Sequence, residues 1–473
     1  MKVLFVGSEA TPFSKTGGLG DVLGSLPKAL VGQGIDARVV LPKHKITKDK
    51  FNDQLEHIAN FKVQVGYKEE YVGIEKMEYD TVVFYFVDNE YYFGYRDTLY
   101  GHYDDGERYG YFNNAVLKML EVIDFYPDVL HLNDWQTGIM PLILKQNYKS
   151  RKGYRDIKTL FTIHNIAYQG VFNRELIEYL NIEYTQDLEF DYSINFLKTG
   201  IQTADFISTV SQTYAEELLY DYYAFRMNEV LETRKDCLFG IINGIDYDQF
   251  NPKTDKSIAY NYGLNNYLKG KSENKKALRE TFKLEDNKLP IIGMVSRLTE
   301  AKGFDIIKII IEDLIKTNKI QMVLLGSGDQ DIEQYYQNLK QVYPDNIGVY
   351  IGYSDDMARK IYSGSDMFLM PSRFEPCGLA QLISLKYGTL PIVRKTGGLR
   401  DTILPYNKYT KEGNGFGFEN YDPEDLKHAL HEALDAYYDK DSWKVLVKRA
   451  MNEDFSWEQS ALKYIELYNK LKG

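Results

Sequence analysis

The chain has 473 residues, enough for two or three domains of roughly 100–200 residues, each able to bury its own core. Its 57 Lys and Arg stand against 68 Asp and Glu, a net charge of −11. A mean field of that sign repels phosphate, which excludes broad binding to nucleic acid or to an anionic membrane and requires a local cationic cluster for any anionic ligand.

The N-terminal apolar run is interrupted by Ser8, Glu9 and Thr11, so it reads as a buried first strand and not as a leader peptide. No apolar stretch approaches the about 18 residues of a membrane span. Two cysteines, Cys237 and Cys377, cannot build a disulfide framework. A cytoplasmic protein without nucleic-acid or membrane partners is expected. Further apolar runs fall at 3–7, 37–41, 82–87, 129–132, 159–163 and 206–210, then at 290–295, 322–326, 349–352, 367–370 and 390–393. Continuous Val/Ile/Leu runs fit strands covered on both faces. Between them lie amphipathic stretches such as 304–314, with Phe304, Ile307, Ile311 and Leu314 on one stripe. The alternation predicts α/β domains with doubly wound sheets. Residues 54–95 break it with an alternation that predicts antiparallel hairpins at the edge of the first domain. Turn signals at Asn243-Gly244 and Asn251-Pro252 predict a boundary near 245 between two α/β domains of similar size.

The segment Lys15-Thr16-Gly17-Gly18-Leu19-Gly20-Asp21 recurs as Lys395-Thr396-Gly397-Gly398-Leu399-Arg400-Asp401, with one change. Each copy lies between a strand and a helix, where glycines let backbone approach a ligand and helix amides face an anion. Two similar domains, each aiming a glycine loop into a shared cleft, are expected. A purely structural second loop stays open.

Other fingerprints fail. The Gly17–Gly20 cluster lies ten residues after Gly7, too far from the first strand for a dinucleotide loop. Asn265 stands where a P-loop ending at Gly270-Lys271-Ser272 needs its first glycine. Asp329-Gln330-Asp331 reads as an acidic helix start, and His428 and His431 lack a third ligand, so no metal is expected.

The positive signal is a set of polar residues following strands, where open α/β sheets place ligands. They are His131 to Trp135, Thr162 to Asn165, Ser296-Arg297 with Lys302-Gly303, and Arg373 to Leu379. Cations, carboxylates and helix starts together fit a nucleotide-diphosphate sugar. Arg297 and Lys302 would neutralise a leaving diphosphate. Glu375 and Asp134 would fix sugar hydroxyls or stabilise an oxocarbenium-like carbon.

With these residues in view, the sequence closely resembles the bacterial glycogen synthases and plant starch synthases that use ADP-glucose. The resemblance rests on Lys15 to Val22, Asn133 to Gln136, Thr162 to Gly170, Asn243 to Asp246, Ser296 to Leu298 with Lys302-Gly303, Glu375 to Leu379, and Thr396 to Leu399, and it covers nearly the whole chain. It implies a GT-B fold: two Rossmann-like, doubly wound parallel-sheet domains facing a deep cleft. Residues 1–245 would form the acceptor side and part of the donor site, 246–455 the nucleotide-sugar side, and 456–473 a helix crossing back to the first domain. By resemblance, Lys15 and Gly18 lie by the donor diphosphate, with Arg297 and Lys302 binding it and Gly398 and Leu399 adding backbone contacts. Asp134, Asn165 and Glu375 hold the glucose. His164 sits beside the anomeric carbon through its backbone carbonyl, and Cys377 and Gly378 face the sugar. Tyr353 lies against the nucleoside, and Tyr100 and Trp135 near the glucan acceptor.

Many retaining transferases carry a second Glu eight residues after the first; here that position is Ile383. This departure fits the narrower family and favours front-face displacement, with a covalent route through Glu375 left open. The expected activity is retaining transfer of glucose from ADP-glucose to the non-reducing end of an α-1,4-glucan such as glycogen, with no metal or cofactor and a homo-oligomer left open. Two alternatives are a GT-B transferase using UDP-glucose and a non-catalytic glucan-binding protein. The 40 tyrosines receive no common task from composition.

Overall fold

The apolar runs of the first half become strands β1 (Lys2–Val6), β2 (Asp36–Pro42), β3 (Glu56–Val65), β4 (Lys68–Tyr79), β5 (Val82–Asp88), β6 (Val129–Asn133) and β7 (Lys158–Ile163). Short strands β8 (Val171–Phe172), β9 (Glu189–Phe190) and β10 (Ser193–Asn195) follow, then β11 (Phe206–Thr209) and β12 (Leu238–Gly240). These come from a computed structural model that describes residues 1–317 and 319–473. A nine-stranded sheet runs in the order β12-β11-β7-β6-β1-β2-β5-β4-β3, and β8-β10-β9 form a separate small sheet. Pairing is parallel from β12 to β5, where every side chain of β6 is buried, as expected for a sheet covered on both faces. The β3–β4 and β4–β5 pairs are antiparallel, the hairpins expected at 54–95.

The second half supplies β13 (Ile291–Val295), β14 (Gln321–Gly326), β15 (Ile347–Ile351), β16 (Met367–Met370), β17 (Leu390–Arg394) and β18 (Phe416–Phe418). They form an all-parallel sheet in the order β15-β14-β13-β16-β17-β18. The helix Phe304–Lys316 buries Phe304, Ile307, Ile311 and Leu314 completely, and each such side chain contributes about 2 kcal/mol of burial. The chain divides into two units, Met1–Gly244 with Trp457–Gly473, and Ile245–Ser456.

The helix Trp457–Lys472 belongs to the first unit because its apolar face completes that core. Trp457, Ala461, Tyr464, Leu467, Tyr468 and Leu471 pack with Val3, Phe5, Leu23 and Leu26. Polar ties fix its register: Lys472 pairs with Asp128 at 2.7 Å, and Ser460 Oγ donates to the Ile242 carbonyl at 2.7 Å. Tyr468 Oη lies 2.7 Å from His131 Nδ1, and His131 Nε2 lies 2.6 Å from Thr162 Oγ1. The helix is thereby tied through a fully buried imidazole to β6 and β7. Among the described residues, no helix is long and apolar enough to cross a membrane.

Candidate functional site

Register places the first group of residues. Asn133 at the end of β6 stands opposite Thr162 on β7, so the residues just beyond, Asp134 and His164, are neighbours. Asp134 Oδ1 accepts the His164 amide at 2.8 Å, and the Asp134 amide donates to the Thr162 carbonyl at 3.0 Å. Asp134 has φ 56° and ψ −178°, a left-handed backbone that costs a residue with a side chain about 1–3 kcal/mol. Burial pushes its carboxyl up to about 7, against the opposing pull of the His164 and Asn165 amides; the Glu9 carboxylate adds to the rise.

Asn133 Nδ2 donates to the carbonyls of Val6 and His131, both at 3.0 Å, which fixes its Oδ1 as an acceptor. His164 Nε2, 2.9 Å from that oxygen, must therefore carry the proton. Burial lowers the His164 pKa to about 3, so the ring is neutral near pH 7 and cannot serve as an acid. Its backbone carbonyl accepts no hydrogen bond from the described residues. Asn165 Oδ1 caps the following turn by accepting the Ala167 amide at 3.0 Å.

The glycine loop after β1 is held by a residue that the sequence patterns do not flag. Glu9, only 2% exposed, accepts from Thr16 N at 2.6 Å, Thr16 Oγ1 at 2.7 Å, Gly17 N at 3.2 Å and Gly20 N at 3.2 Å. A lone Glu after a strand reads as a surface turn; only the folded loop reveals its four donors. Lys15 pairs with Asp21 at 2.7 Å and stays well exposed. A Cβ at Gly18 would meet nothing within 4 Å, so the chain's own packing does not require glycine there. Tyr100 is half-buried with its Oη 2.7 Å from Ser8 Oγ. Trp135, 8% exposed, packs among Tyr109, Phe172 and Phe196 and against Gly170, so it supports the 164–170 segment and leaves little ring surface for a ligand.

In the second unit, β13 and β16 are adjacent and bring the loops after them together. Lys302 Nζ and Ser372 Oγ converge on Glu375 Oε2 at 2.7 and 2.8 Å. Arg373 N donates to the Ala301 carbonyl at 2.9 Å, and its guanidinium pairs with Asp305 at 3.2 Å; the Tyr421 hydroxyl also bonds Asp305. Ser372, like Glu9, carried no sequence signal of its own.

Gly397 and Gly398 serve this loop directly. A Cβ on Gly397 would lie 2.1 Å from the Glu375 carbonyl oxygen, and one on Gly398 would lie 2.0 Å from that of Cys377. The Gly398 amide donates to Glu375 O and Pro376 O at 3.1 Å, and the Leu399 amide to Thr396 O at 3.1 Å. The diphosphate contacts expected from these two amides therefore meet amides already engaged, that of Gly398 in holding the Glu375 loop and that of Leu399 in its own turn. Cys377 is buried, and Gly378 has φ 73°. Arg297 is exposed and makes no ion pair among the described residues. Tyr353, 79% exposed, donates its hydroxyl to Asp355 Oδ1 at 2.6 Å.

Comparison with known proteins decides the family. A starch synthase catalytic domain model matches residues 2–233, and a glycosyl transferases group 1 model matches 275–449. The glycogen synthase of Clostridium botulinum is 48% identical over 478 residues, covering 100% of this chain and 99% of its own. The chain belongs to the glycogen synthase family. The glycogen synthase of Anoxybacillus flavithermus is 46% identical over 480 residues, covering 100% of this chain and 98% of its own. Among solved structures, the catalytic domain of starch synthase IV from Arabidopsis thaliana, bound to ADP and acarbose, superposes with a TM-score of 0.89 at 31% identity, covering 99% of both chains. The sucrose-phosphate synthase of Thermosynechococcus elongatus shares the fold, with a TM-score of 0.62 at 16% identity over 99% of this chain and 98% of its own. This member of the glycogen synthase family is thus a glycosyltransferase of the GT-B fold.

Proposed function

We propose that the chain is a retaining glucosyltransferase, acting in the cytoplasm, that moves glucose from ADP-glucose to the non-reducing end of an α-1,4-glucan. The observation that carries this reading is the convergence of Lys302 and Ser372 on Glu375, with Arg297, which makes no ion pair among the described residues, on the loop that begins after the same strand as Lys302. A fixed carboxylate paired with one cation, with a second cation on the same loop as the first, suits a sugar bonded to a diphosphate. The ADP and acarbose held by the starch synthase IV relative support the same donor and acceptor classes.

In this mechanism, Arg297 and Lys302 take up charge as ADP departs, while Lys15 and the open backbone at Gly18 meet the diphosphate. Glu375, Asp134 and Asn165 hold glucose hydroxyls. The neutral His164 presents its backbone carbonyl to positive charge growing at the anomeric carbon. Cys377 and Gly378 border the sugar, Tyr353 the nucleoside and Tyr100 the acceptor. Gly398, Leu399 and Trp135 act through the loops they hold. Ile383, buried where some relatives of the fold carry a second carboxylate, leaves Glu375 without an acidic partner on that helix. The departing phosphate oxygen then accepts the acceptor's proton on the face it leaves, and configuration is retained. Arg297, Lys302 and Lys15 answer the diphosphate's charge, so the reaction calls for no metal.

The test is incorporation of label into glycogen from labelled ADP-glucose and UDP-glucose in parallel. Incorporation from ADP-glucose alone is expected. Preference for UDP-glucose would overturn the donor assignment, and glycogen binding without incorporation would overturn catalysis.

A further inference from the structure

Two tips of the first unit hold bulky residues in left-handed backbone. Asp191 (φ 52°) and Tyr192 (φ 61°) join β9 to β10, and Phe225 (φ 47°) and Arg226 (φ 71°) follow the helical turn Asp221–Ala224. Aromatic residues rarely adopt that region, and such strain persists only where surrounding structure enforces it. Here it does. Arg226 pairs with Asp191 at 2.9 Å and lies 5.5 Å from the Phe190 ring. Gln169 ties both tips to the segment after β7: its Nε2 donates to the Phe225 carbonyl at 2.9 Å, and its Oε1 accepts Asn195 Nδ2 at 2.9 Å.

The fastened loops leave rings in water. Tyr192 is 82% exposed, Tyr168 58% and Phe225 46%. Tyr220 and Tyr222 are exposed on the same stretch of chain as Phe225. A group of exposed aromatics on braced loops marks a binding surface. The ion pair between the tips, Arg226–Asp191, is neutral overall. Apolar faces and phenol hydroxyls suit a neutral polyhydroxylated chain, whose C–H faces stack on rings and whose hydroxyls bond their polar tips. The platform is also continuous with the candidate site, since Tyr168 and Gln169 lie on the segment that begins at His164.

We propose that Tyr168, Tyr192 and Phe225 form a platform that holds an α-1,4-glucan chain outside the reaction site. This rests on the proposed function for the identity of the acceptor. It gives the enzyme a grip on long polymer that a short oligosaccharide does not use.

The test is the double variant Tyr192→Asn with Phe225→Asn, because Asn tolerates left-handed backbone and keeps the tips folded. Binding to glycogen is measured by co-sedimentation, and transfer from ADP-glucose is measured with glycogen and with maltotriose. Glycogen binding should weaken about tenfold, equivalent to about 1.4 kcal/mol, while maltotriose kinetics stay within about twofold. The aromatic-preserving pair Tyr192→Trp with Phe225→Trp should keep the parent's affinity. Unchanged glycogen binding in the Asn pair would overturn the proposal. So would a dimeric parent that becomes monomeric in the Asn pair with glycogen binding intact, since a second copy would then occupy the tips. A parent that transfers nothing to either acceptor defeats the functional reading, yet sedimentation still decides the platform.

Discussion

The side-chain oxygen of Asn133 accepts from His164 Nε2 at 2.9 Å, and Asn133 cannot turn its amide round, because its nitrogen is held by the carbonyls of Val6 and His131. The proton on His164 is thus fixed by a residue on the neighbouring strand, and burial keeps the ring uncharged with a pKa near 3. NMR should show the Nε2–H tautomer unchanged from pH 8 to pH 5; protonation with a midpoint near 6.5 would contradict this. Because the folded value lies below the unfolded 6.5, neutral His164 contributes stability that is present above pH 6.5 and lost as pH falls toward 3. Buried His44, also held near 3, acts in the same sense.

Asp134 behaves in the opposite sense. Its carboxyl is raised from 3.8 to about 7, so its contribution to stability is complete below pH 3.8 and is lost as pH rises through 7. Asp134→Asn should therefore gain stability over the parent progressively between pH 4 and pH 8, by about 1 kcal/mol after allowance for solvent screening. Thermal melts across that range read the gap. A gap that shrinks with rising pH would refute the assignment.

Glu375 is the carboxylate on which Lys302 and Ser372 converge. Glu375→Ala should lower kcat by at least about 100-fold, the scale set by removing one transition-state stabiliser. Lys302→Met should also leave a buried carboxylate unpaired and cost about 3 kcal/mol of stability. Steady-state kinetics with denaturant melts separate the two effects, and near-parental turnover in Glu375→Ala would remove that residue from the mechanism.

The two glycine loops share a sequence but not a role. Gly18→Ala meets no atom within 4 Å and should melt like the parent while raising KM for the donor. Gly398→Ala meets the Cys377 carbonyl at 2.0 Å and should displace the Glu375 loop, lowering kcat and melting temperature together. Glu9→Gln substitutes an amide for a carboxylate facing donors only, so the first loop should loosen and donor KM should rise about tenfold, with glycogen KM unchanged. Equal effects of the Gly18 and Gly398 substitutions on melting would contradict this division.

Strands were legible because parallel-sheet strands are continuous apolar runs, as at 129–132 and 159–163, and residues following them could be nominated as a site. Short strands such as Leu238–Gly240 and Phe416–Phe418 carry too few residues for a pattern. Glu9 and Ser372 were illegible because their meaning lies in donors and acceptors that only the folded loops bring together. The repeated Lys-Thr-Gly-Gly-Leu segment was visible, but its sequence could not tell open space at Gly18 from backbone contact at Gly397 and Gly398. The tyrosine excess dissolves into separate tasks: Tyr468 anchors the last helix, Tyr421 bonds Asp305, and Tyr168 and Tyr192 stand exposed on braced tips.

Proton NMR of the reaction with maltotriose tests the central claim most directly, because it reports donor use and product configuration together. The account predicts that ADP-glucose is consumed, UDP-glucose is not, and the first new anomeric signal is that of an α-1,4-linked glucose. A β-anomeric first product, or faster consumption of UDP-glucose, would contradict it.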